Sequence, residues 1–431
     1  MILLKQAFLI ISLLFAITLA NGVFAAENGV KESGIKADTL QGAAGKVDIT
    51  PEQPAYIAGY EMNRLSTGVH DHLMARCLVL ESGGTRIAFV SCDVIGLPRF
   101  QIEMIRSQIR SVKPALVYIA ATHTHSGPDT LGQWGRDLTS SGVDSVWMAS
   151  LRDKVAALVD STSTRLQPVG LKFAHTSEVP RISKNSRVPQ ILDTELGVMQ
   201  VVAKADLKPI CTYVNYACHP EVLDTRQITA DFPHWLYETV EAAGGGVCMY
   251  LNGAQGGMIT ADFDETTTPK GQNWQAAETI GTSLGKRVNE IIGMTDTILM
   301  EVPIKTEQRI FSVPLENPKF KALIALKVFN GNMLKNGDME TEVNRITIGP
   351  AEFITIPGEA LPNIGLYLKN KMQGTPRFVL GLCCDELGYI LTPEDFDLKL
   401  YRYESSVSVG PQIEPLMVQN LLSIMSKRKK D

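Results

Sequence analysis

The chain has few cysteines for its length, no CxxC pair, and no strongly basic region in its main body. Seven cysteines occur in 431 residues, and most of them lie inside apolar runs, where buried free thiols are common. Lysine and arginine total 41 against 46 aspartates and glutamates, and the one basic cluster covers residues 427–430. We therefore expect free thiols, and we expect no nucleic-acid partner.

Long apolar segments are absent apart from one near the N-terminus. Residues 7–20 are almost wholly apolar, follow a short basic start at Lys5, and precede the small residues Ala25 and Ala26. This order is typical of a signal peptide, so we expect residues 1–26 to be removed and the protein to be secreted or periplasmic. An uncleaved membrane anchor is the alternative, but a spanning helix needs about 20 apolar residues.

No internal repeat or low-complexity linker divides the remaining chain. Strand and helix patterns alternate, which predicts an α/β fold with mixed β-sheets flanked by helices. We interpret residues 27–431 as a single domain, although two tightly packed lobes would also fit this length. The polar, glycine-rich segment before Gly45 is expected to be a loose arm. The predicted helices cover residues 100–112, 146–158, 231–243, 276–292, 361–372 and 415–425.

Two histidines follow directly after a predicted strand. The apolar residues 117–121 lead into Thr122-His123-Thr124-His125, and Gly127 and Pro128 come soon afterwards. An apolar, β-branched and aromatic run that stops at polar residues and a Gly-Pro pair predicts a buried strand. The strand would deliver both imidazoles to the loop at its end.

Two later strands are expected to end in the same way. Residues 211–218 run into His219, and residues 351–356 run into Pro357-Gly358-Glu359. Ligands bind in the crevice at the carboxyl ends of strands in α/β sheets, so these side chains could meet His123. Two imidazoles and a carboxylate suit zinc and leave one position for water. We predict a zinc site at these strand ends.

These segments resemble the N-terminal catalytic domain of the neutral/alkaline ceramidase family. The most specific matches are Thr122-His-Thr-His-Ser-Gly-Pro128 and Pro357-Gly-Glu359, and they occur in the family's order. The weaker matches are residues 46–51, 59–60, 75–76, 89–93 and 388–394. The resemblance spans most of the chain after residue 26 and implies a ceramidase-like catalytic domain there.

The resemblance implies roles for individual residues. The zinc ligands that it implies are His123, His219, Glu359 and Tyr389. His125 should line the pocket, while Arg187 and Tyr403 should contact substrate.

The chain also departs from the family at two places. The family's catalytic serine belongs in an Asn-x-Gly-Asp-x-Ser-Pro loop, and residues 252–258 place Gly257 at the serine position. The chain ends soon after Tyr403, where the family continues into a C-terminal β-sandwich domain. We therefore expect a short relative with the catalytic domain only.

Without the serine, metal-activated water is the expected nucleophile. His125 and Asp93 are candidates for a proton shuttle or for the partner of a metal-bound imidazole. Tyr389, as ligand or hydrogen-bond donor, would stabilise the developing oxyanion, and amides near Gly256 and Gly257 could assist.

Three functions fit these expectations. The first is an exported zinc-dependent hydrolase of an amide, with the resemblance implying an N-acyl lipid such as ceramide and hence sphingolipid metabolism. The second is a zinc hydrolase of an ester or a sugar-derived amide. The third is a non-catalytic metal- or ligand-binding relative. The expected partner is a small-molecule or lipid substrate, and a lipid would imply peripheral membrane contact.

Overall fold

The computed structural model describes residues 39–263 and 273–426. The expected signal peptide at 1–26 and the basic cluster at 427–430 lie outside these residues. Strands and helices alternate along the described chain. The strands are β1 (Gln41–Asp48), β2 (Gly68–Val69), β3 (Met74–Ser82), β4 (Thr85–Cys92), β5 (Val117–Ala121), β6 (Gln167–Thr176), β7 (Ser183–Asn185), β8 (Leu196–Ala203), β9 (Pro209–Tyr216), β10 (Gln227–Ile228), β11 (Val247–Asn252), β12 (Ile259–Ala261), β13 (Ile304–Val313), β14 (Leu334–Lys335), β15 (Asp338–Ile348), β16 (Ala351–Thr355), β17 (Glu359–Ala360), β18 (Arg377–Leu380) and β19 (Tyr389–Ile390).

The helices separate these strands, and short 3₁₀ turns lie at Pro114–Leu116, Gly331–Met333 and Lys399–Tyr401. The α-helices are α1 (Arg99–Gln108), α2 (Ser145–Ser163), α3 (Phe232–Ala242), α4 (Trp274–Gly293), α5 (Pro318–Ala325), α6 (Pro362–Lys371), α7 (Pro393–Phe396), α8 (Arg402–Ser406) and α9 (Ile413–Met425). Among the described residues, no helix combines the length and the apolar composition that crossing a bilayer requires.

Two mixed sheets form the centre of the fold. The larger one has eight strands in the order β11-β9-β8-β6-β1-β3-β4-β5, with parallel pairs at β11–β9 and β4–β5. The smaller one has the order β13-β15-β16-β18, β14 also pairs with β15, and β16 runs parallel to β18. The predicted α/β fold with mixed sheets flanked by helices is therefore confirmed.

The two sheets stack face to face between two layers of helices. Along β3, Leu78 and Leu80 face the smaller sheet, while Cys77 and Val79 face helices α1 and α2, as the two-residue period of a strand requires. Helices α3 and α4 cover the other half of the same outer face. Helices α5, α6 and α9 cover the outer face of the smaller sheet. The order of layers is helix, sheet, sheet, helix.

Aromatic rings fill the space between the sheets. Phe89 and Tyr213 of the larger sheet contact Phe353 of the smaller one, with ring centroids 5.5 Å and 5.8 Å apart. Phe353 in turn stacks on Phe378 at 4.3 Å. Large buried rings contribute much of the hydrophobic free energy of folding, so this cluster holds the two sheets together.

The expectation of a loose arm before Gly45 is wrong for residues 41–44, whereas residues 27–38 of that segment lie outside the described residues. Residues 41–48 form β1, a central strand that pairs along its whole length with β3. The sequence did not predict β1, because its small residues give little hydrophobic signal. The packing around the strand nevertheless requires small residues. A Cβ at Gly42 would lie 3.0 Å from Leu80 and from Val169. The seven cysteines are buried and free, as the sequence predicted.

Candidate metal centre

The loop after β5 holds His123 in a fixed orientation. Its backbone has φ of 75°, in the left-handed region, and its amide donates to the Val94 carbonyl at 3.0 Å. Nδ1 lies 2.5 Å from the Ile95 carbonyl oxygen. A carbonyl only accepts, so Nδ1 carries a proton and Nε2 is the nitrogen available to other groups.

His219, after β9, is oriented in the same way. Its Nδ1 donates to the Ile259 carbonyl at 2.8 Å, and its Nε2 lies 2.8 Å from Oε2 of Glu359. Burial lowers the pKa of His219, but the hydrogen bond to Glu359 and the nearby negative charges outweigh burial and raise the pKa to about 9. Nε2 of His219 therefore faces the carboxylate as an N–H donor, and a cation bound between them would take the place of that proton.

Glu359 brings the two histidines to one point. Its Oε2 lies 2.8 Å from Nε2 of His219 and 3.4 Å from Nε2 of His123. Burial would raise the pKa of Glu359, but the charges and hydrogen bonds of the two histidines lower it, so the carboxyl is ionised. The structure thus brings together three residues that are far apart in the sequence.

His125 completes a group of three imidazoles. One nitrogen of each of His123, His125 and His219 lies within 4.8 Å of the others. Both ring nitrogens of His125 are buried without a hydrogen-bond partner. Burial, followed by the neighbouring histidines, lowers the pKa of His125 well below its usual value, so the ring is neutral. A neutral imidazole with unpartnered nitrogens suits a metal ion, and this group could hold one.

A glycine makes room for His125. Gly59 has φ of 104°, and a Cβ built on it would lie 2.4 Å from Cγ of His125. The ring of Tyr60 packs edge-on against His125 with centroids 5.3 Å apart. The segment at 59–60 therefore fixes the third imidazole from the opposite side.

Tyr389 lies beside Glu359 because their short strands pair. β17 and β19 are parallel, with Glu359 opposite Tyr389. Burial and then the charge of Glu359 raise the pKa of Tyr389 well above its usual value, so its hydroxyl keeps its proton. The ring packs against Tyr403, with centroids 5.9 Å apart.

A cavity of about 300 Å³ opens onto this cluster. Its polar lining includes His123, His125, Glu359, Glu386 and Tyr389. Its apolar lining consists of Met62, Ile95, Leu131, Trp134, Leu138, Phe320, Leu323, Val328, Phe329, Met333 and Val407. The composition suits a ligand with a long apolar part and a polar group near the histidines.

Glu386 is a cavity residue that the sequence did not reveal. Its Oε1 accepts a hydrogen bond from the Gly388 amide at 3.0 Å, whereas its buried Oε2 has no partner. Burial and then the charge of Glu359 raise the pKa of Glu386 well above its usual value. A lone glutamate outside any motif gives no sequence signal, and only its burial marks it.

No protein-family model matches the chain. A stretch of 170 residues is 26% identical to neutral ceramidase of Pseudomonas aeruginosa, covering 36% of this chain and 25% of that protein. The crystal structure of that organism's neutral ceramidase matches with a TM-score of 0.75 at 17% identity, over 90% of this chain and 75% of that one.

The chain is a distant, partial relative of neutral ceramidase. A structure of ceramidase complexed with C2 matches it almost as well, with a TM-score of 0.74 over the same shares of both chains. The resemblance to neutral ceramidases that the motifs indicated is therefore confirmed, and the fold is shared. The sequence match spans a quarter of that relative's length.

Asp93, expected to assist a histidine, lies elsewhere. Its Oδ2 accepts from the Met74 amide and its Oδ1 from the Tyr237 hydroxyl, both at 2.9 Å. Burial raises the pKa of Asp93, the positive charge of Arg76 partly offsets this effect, and the net result is a pKa of about 6. The partner of His123 is instead the Ile95 carbonyl. A strand-end aspartate was a reasonable candidate, but here its two oxygens bind β3 and α3.

The structure places only one of the two expected substrate contacts, Arg187 and Tyr403, at the cavity. Tyr403 lines the cavity. Arg187 makes a two-pronged ion pair with the buried Glu404, at 2.7 Å and 3.2 Å. Arg187 does not line the described cavity, and its guanidinium group is paired with Glu404. It therefore anchors the helix that carries Tyr403.

The loop of residues 252–258, where the resemblance led us to expect a serine, packs against β17. The Gly256 amide donates to the Ala360 carbonyl at 2.9 Å, so it is not free to contact a ligand as expected. A Cβ at Gly257 would lie 3.2 Å from Leu361, and φ of 74° disfavours a side chain there. Gly257 does not line the described cavity. The loop instead supports the backbone of Glu359.

Proposed function

We propose that the protein is a zinc-dependent amide hydrolase acting on an N-acyl lipid of the ceramide type. The observation that carries the proposal is the buried cluster of three histidines and an ionised glutamate beside an apolar cavity. Similarity to neutral ceramidase supports the amide bond and the lipid substrate. The activity would belong to sphingolipid breakdown.

Zinc is the metal that these residues fit best. Imidazole nitrogens and a carboxylate oxygen form the ligand set of catalytic zinc sites. We assign His123, His219 and Glu359 as ligands, with Tyr389 adjacent and the unpartnered His125 within reach. When bound, such an ion acidifies water and polarises a carbonyl group.

The chain's own residues would supply the remaining functions. The apolar wall binds the acyl chain and excludes water from the polar end. The Tyr389 hydroxyl donates a hydrogen bond to the carbonyl oxygen as negative charge develops there. The side chain of His125 makes no hydrogen bond in the described structure, its Nδ1 lies 3.8 Å from Oε2 of Glu221, and as a neutral imidazole it can accept a proton and pass it towards the departing amine. Tyr403 closes one side of the cavity by packing on Tyr389.

Metal analysis and a substrate panel test this proposal together. Purified protein should contain zinc and release fatty acid from N-acyl lipids, and His123→Ala should abolish both. His72→Ala is the matched control, because this histidine is exposed and pairs with Asp48. Full activity of His123→Ala would refute the metal mechanism.

The same panel separates the alternatives. Turnover of esters or sugar-derived amides, with ceramide-type amides uncleaved, would favour the second function. Zinc without turnover of any substrate would favour a binding protein. Both alternatives are tested because Gly257 stands where the resemblance places the family's nucleophilic serine.

We also propose peripheral contact with lipid surfaces. Met62, Leu138 and Tyr403 line the cavity and are 38%, 65% and 52% exposed, so apolar surface surrounds its opening. Leu138→Asp should weaken sedimentation with ceramide-containing vesicles, whereas Met294→Asp, at another exposed apolar residue, should not. Equal vesicle binding by both variants would contradict this contact.

Export and domain organisation complete the proposal. The N-terminal sequence supports removal of residues 1–26 and a secreted or periplasmic location. N-terminal sequencing of the protein from its native host should give Glu27 as the first residue. We propose that residues 27–431 act as one catalytic domain, so a protein that starts at residue 27 should retain full activity.

A further inference from the structure

The outer edge of the smaller sheet has no neighbouring strand. β13 stands at the end of the order β13-β15-β16-β18 and pairs with β15 along all ten of its residues. Among the described residues, no backbone–backbone hydrogen bond reaches the other side of β13. The strand is about 34 Å long, and most of its residues are exposed or half-exposed. A long free edge of this kind is a template for pairing with another strand.

The two edges of the larger sheet are treated differently. On β5, the Ile119 carbonyl accepts a hydrogen bond from the Cys384 amide at 2.8 Å. At the end of β11, the Asn252 carbonyl accepts from the Gly381 amide at 3.0 Å. The chain's own backbone therefore contacts both of these edges, whereas the described part of the chain leaves β13 open.

The charges along β13 complement themselves about one point. When two copies of a strand pair antiparallel about a twofold axis, residues at equal distances on either side of the axis lie opposite each other. An axis at Gln308 places Glu307 of each copy opposite Arg309 of the other. An axis at Glu307 or at Arg309 would instead oppose like charges, which destabilises a strand pair.

The length of the paired segment supports the same register. An axis at Gln308 pairs residues 304–312, almost the whole strand. An axis at Thr306 would also oppose unlike charges, at Lys305 and Glu307, but would pair only residues 304–308. The register at Gln308 therefore combines the longest pairing with favourable charges.

Two features next to the edge favour a second copy as its partner. Arg309 donates to the Gln308 carbonyl at 3.1 Å, and no carboxylate of the described chain lies within ion-pair distance of its guanidinium group. Helix α9 packs on β13 and carries the half-buried apolar residues Leu416, Val418 and Leu422. A twofold axis perpendicular to the sheet keeps the helices of both copies on one side, so the two α9 helices would lie side by side and bury apolar surface.

We propose that the protein forms a homodimer in which β13 pairs antiparallel with β13 of a second copy, about a twofold axis at Gln308. The smaller sheets of the two copies then form one continuous sheet. Charged side chains on an edge strand often prevent pairing. On β13 they instead select one register, because each charge meets its opposite there.

Sedimentation velocity on wild type and charge variants tests the proposal. Wild type should be a dimer at micromolar concentrations. Arg309→Glu should raise the dissociation constant about tenfold or more, because both opposed pairs become like-charged. Adding Glu307→Lys to Arg309→Glu restores unlike charges and should restore the dimer. Lys204→Glu is the control, since it makes the same change of charge at an exposed turn between β8 and β9.

Engineered cysteines check the register independently. Residues directly opposite in a strand pair have Cβ atoms about 4.5–5.5 Å apart, so Gln308→Cys should give a disulfide-linked dimer under mild oxidation. Ser312→Cys should not, because it lies opposite Ile304, and the native cysteines are buried. A monomeric wild type would overturn the proposal and indicate that another segment or another protein covers β13. A dimer that Arg309→Glu leaves intact, and that Gln308→Cys does not cross-link, would overturn it equally.

Discussion

Glu359 and Tyr389 are direct partners across two short parallel strands, and both side chains line the cavity. The pairing of β17 with β19 therefore sets the position of the phenol relative to the carboxylate. Any change in register between these strands would separate the two groups.

Tyr389→Phe should lower kcat and leave the fold intact. The ring and its contact with Tyr403 remain, while the hydroxyl proposed to stabilise the oxyanion is lost. Loss of one such donor typically reduces kcat by about 10²–10³-fold. Tyr367→Phe, at a tyrosine that is 43% exposed and does not line the cavity, is the control, and steady-state kinetics with the best amide provide the measurement. An unchanged kcat would remove Tyr389 from the mechanism.

Gly59→Ala should disrupt the third imidazole. The new methyl group would lie 2.4 Å from the His125 ring, on a backbone with φ of 104°. We expect lower zinc content and a loss of roughly 1–3 kcal/mol in unfolding free energy from backbone strain. Gly68→Ala is a matched control, because no atom lies within 4 Å of a Cβ there. Equal zinc content in both variants would contradict the proposed role of Gly59.

Arg106→Met should strongly destabilise the protein. Arg106 on α1 makes two hydrogen bonds to Glu342 on β15, at 2.9 Å and 2.8 Å, and the side chains are 2% and 1% exposed. Removing one partner of a buried ion pair costs about 3–5 kcal/mol, because the other charge stays buried; Glu342 would keep only Arg99, at 3.3 Å, as a charged partner, so we expect the lower end of that range. Urea denaturation measures the loss.

Two comparisons make the Arg106 prediction sharper. The double variant Arg106→Met with Glu342→Leu should recover part of the lost stability, since no under-paired buried carboxylate remains at position 342. Arg136→Met breaks an exposed pair with Asp137 and should cost no more than about 1 kcal/mol. A double variant less stable than the single one would contradict this explanation.

Asp385 should make stability depend on pH. Its Oδ1 accepts hydrogen bonds from the Arg99 and Glu386 amides, both at 2.8 Å. Burial nevertheless raises its pKa from 3.8 to about 7. The folded protein thus holds this proton more tightly than the unfolded chain. The stability that Asp385 contributes is complete below about pH 4 and is lost as pH rises through about 7.

Asp385→Asn isolates this contribution, because the amide keeps an acceptor but cannot ionise. The free energy of unfolding of wild type, relative to the variant, should fall by roughly 1–3 kcal/mol between about pH 5 and about pH 8. Urea titrations at several pH values measure the difference. A difference that stays constant with pH would show that Asp385 does not titrate in this range.

Local sequence signals predicted the elements that carry the histidines. The apolar run of β5 and its polar ending predicted the placement of His123, and the same pattern predicted His219. β1 was missed because its glycines and alanines are selected for close packing rather than hydrophobicity. The antiparallel pair of β13 and β15 was also missed, since β13 is largely half-exposed and its apolar residues are few.

The candidate site was predictable only in part. His123, His219 and Glu359 each stood in a recognisable motif, but their meeting depends on the stacking of two sheets, which no local pattern encodes. Asp93 also follows a strand, but its carboxylate binds β3 and α3 and not a histidine of the site. A polar residue at a strand end is therefore not by itself a site residue. Glu386 had no motif, so only its burial and its free oxygen identify it.

The candidate metal ligands come from both sheets, so a bound ion would connect the two sheets. His123 and His219 follow strands of the larger sheet, while Glu359 follows β16 of the smaller one. An ion held by all three would cross-link the two halves of the sandwich. Its removal by a chelator should therefore speed hydrogen exchange at the facing edges of both sheets, because the sheets would separate more often.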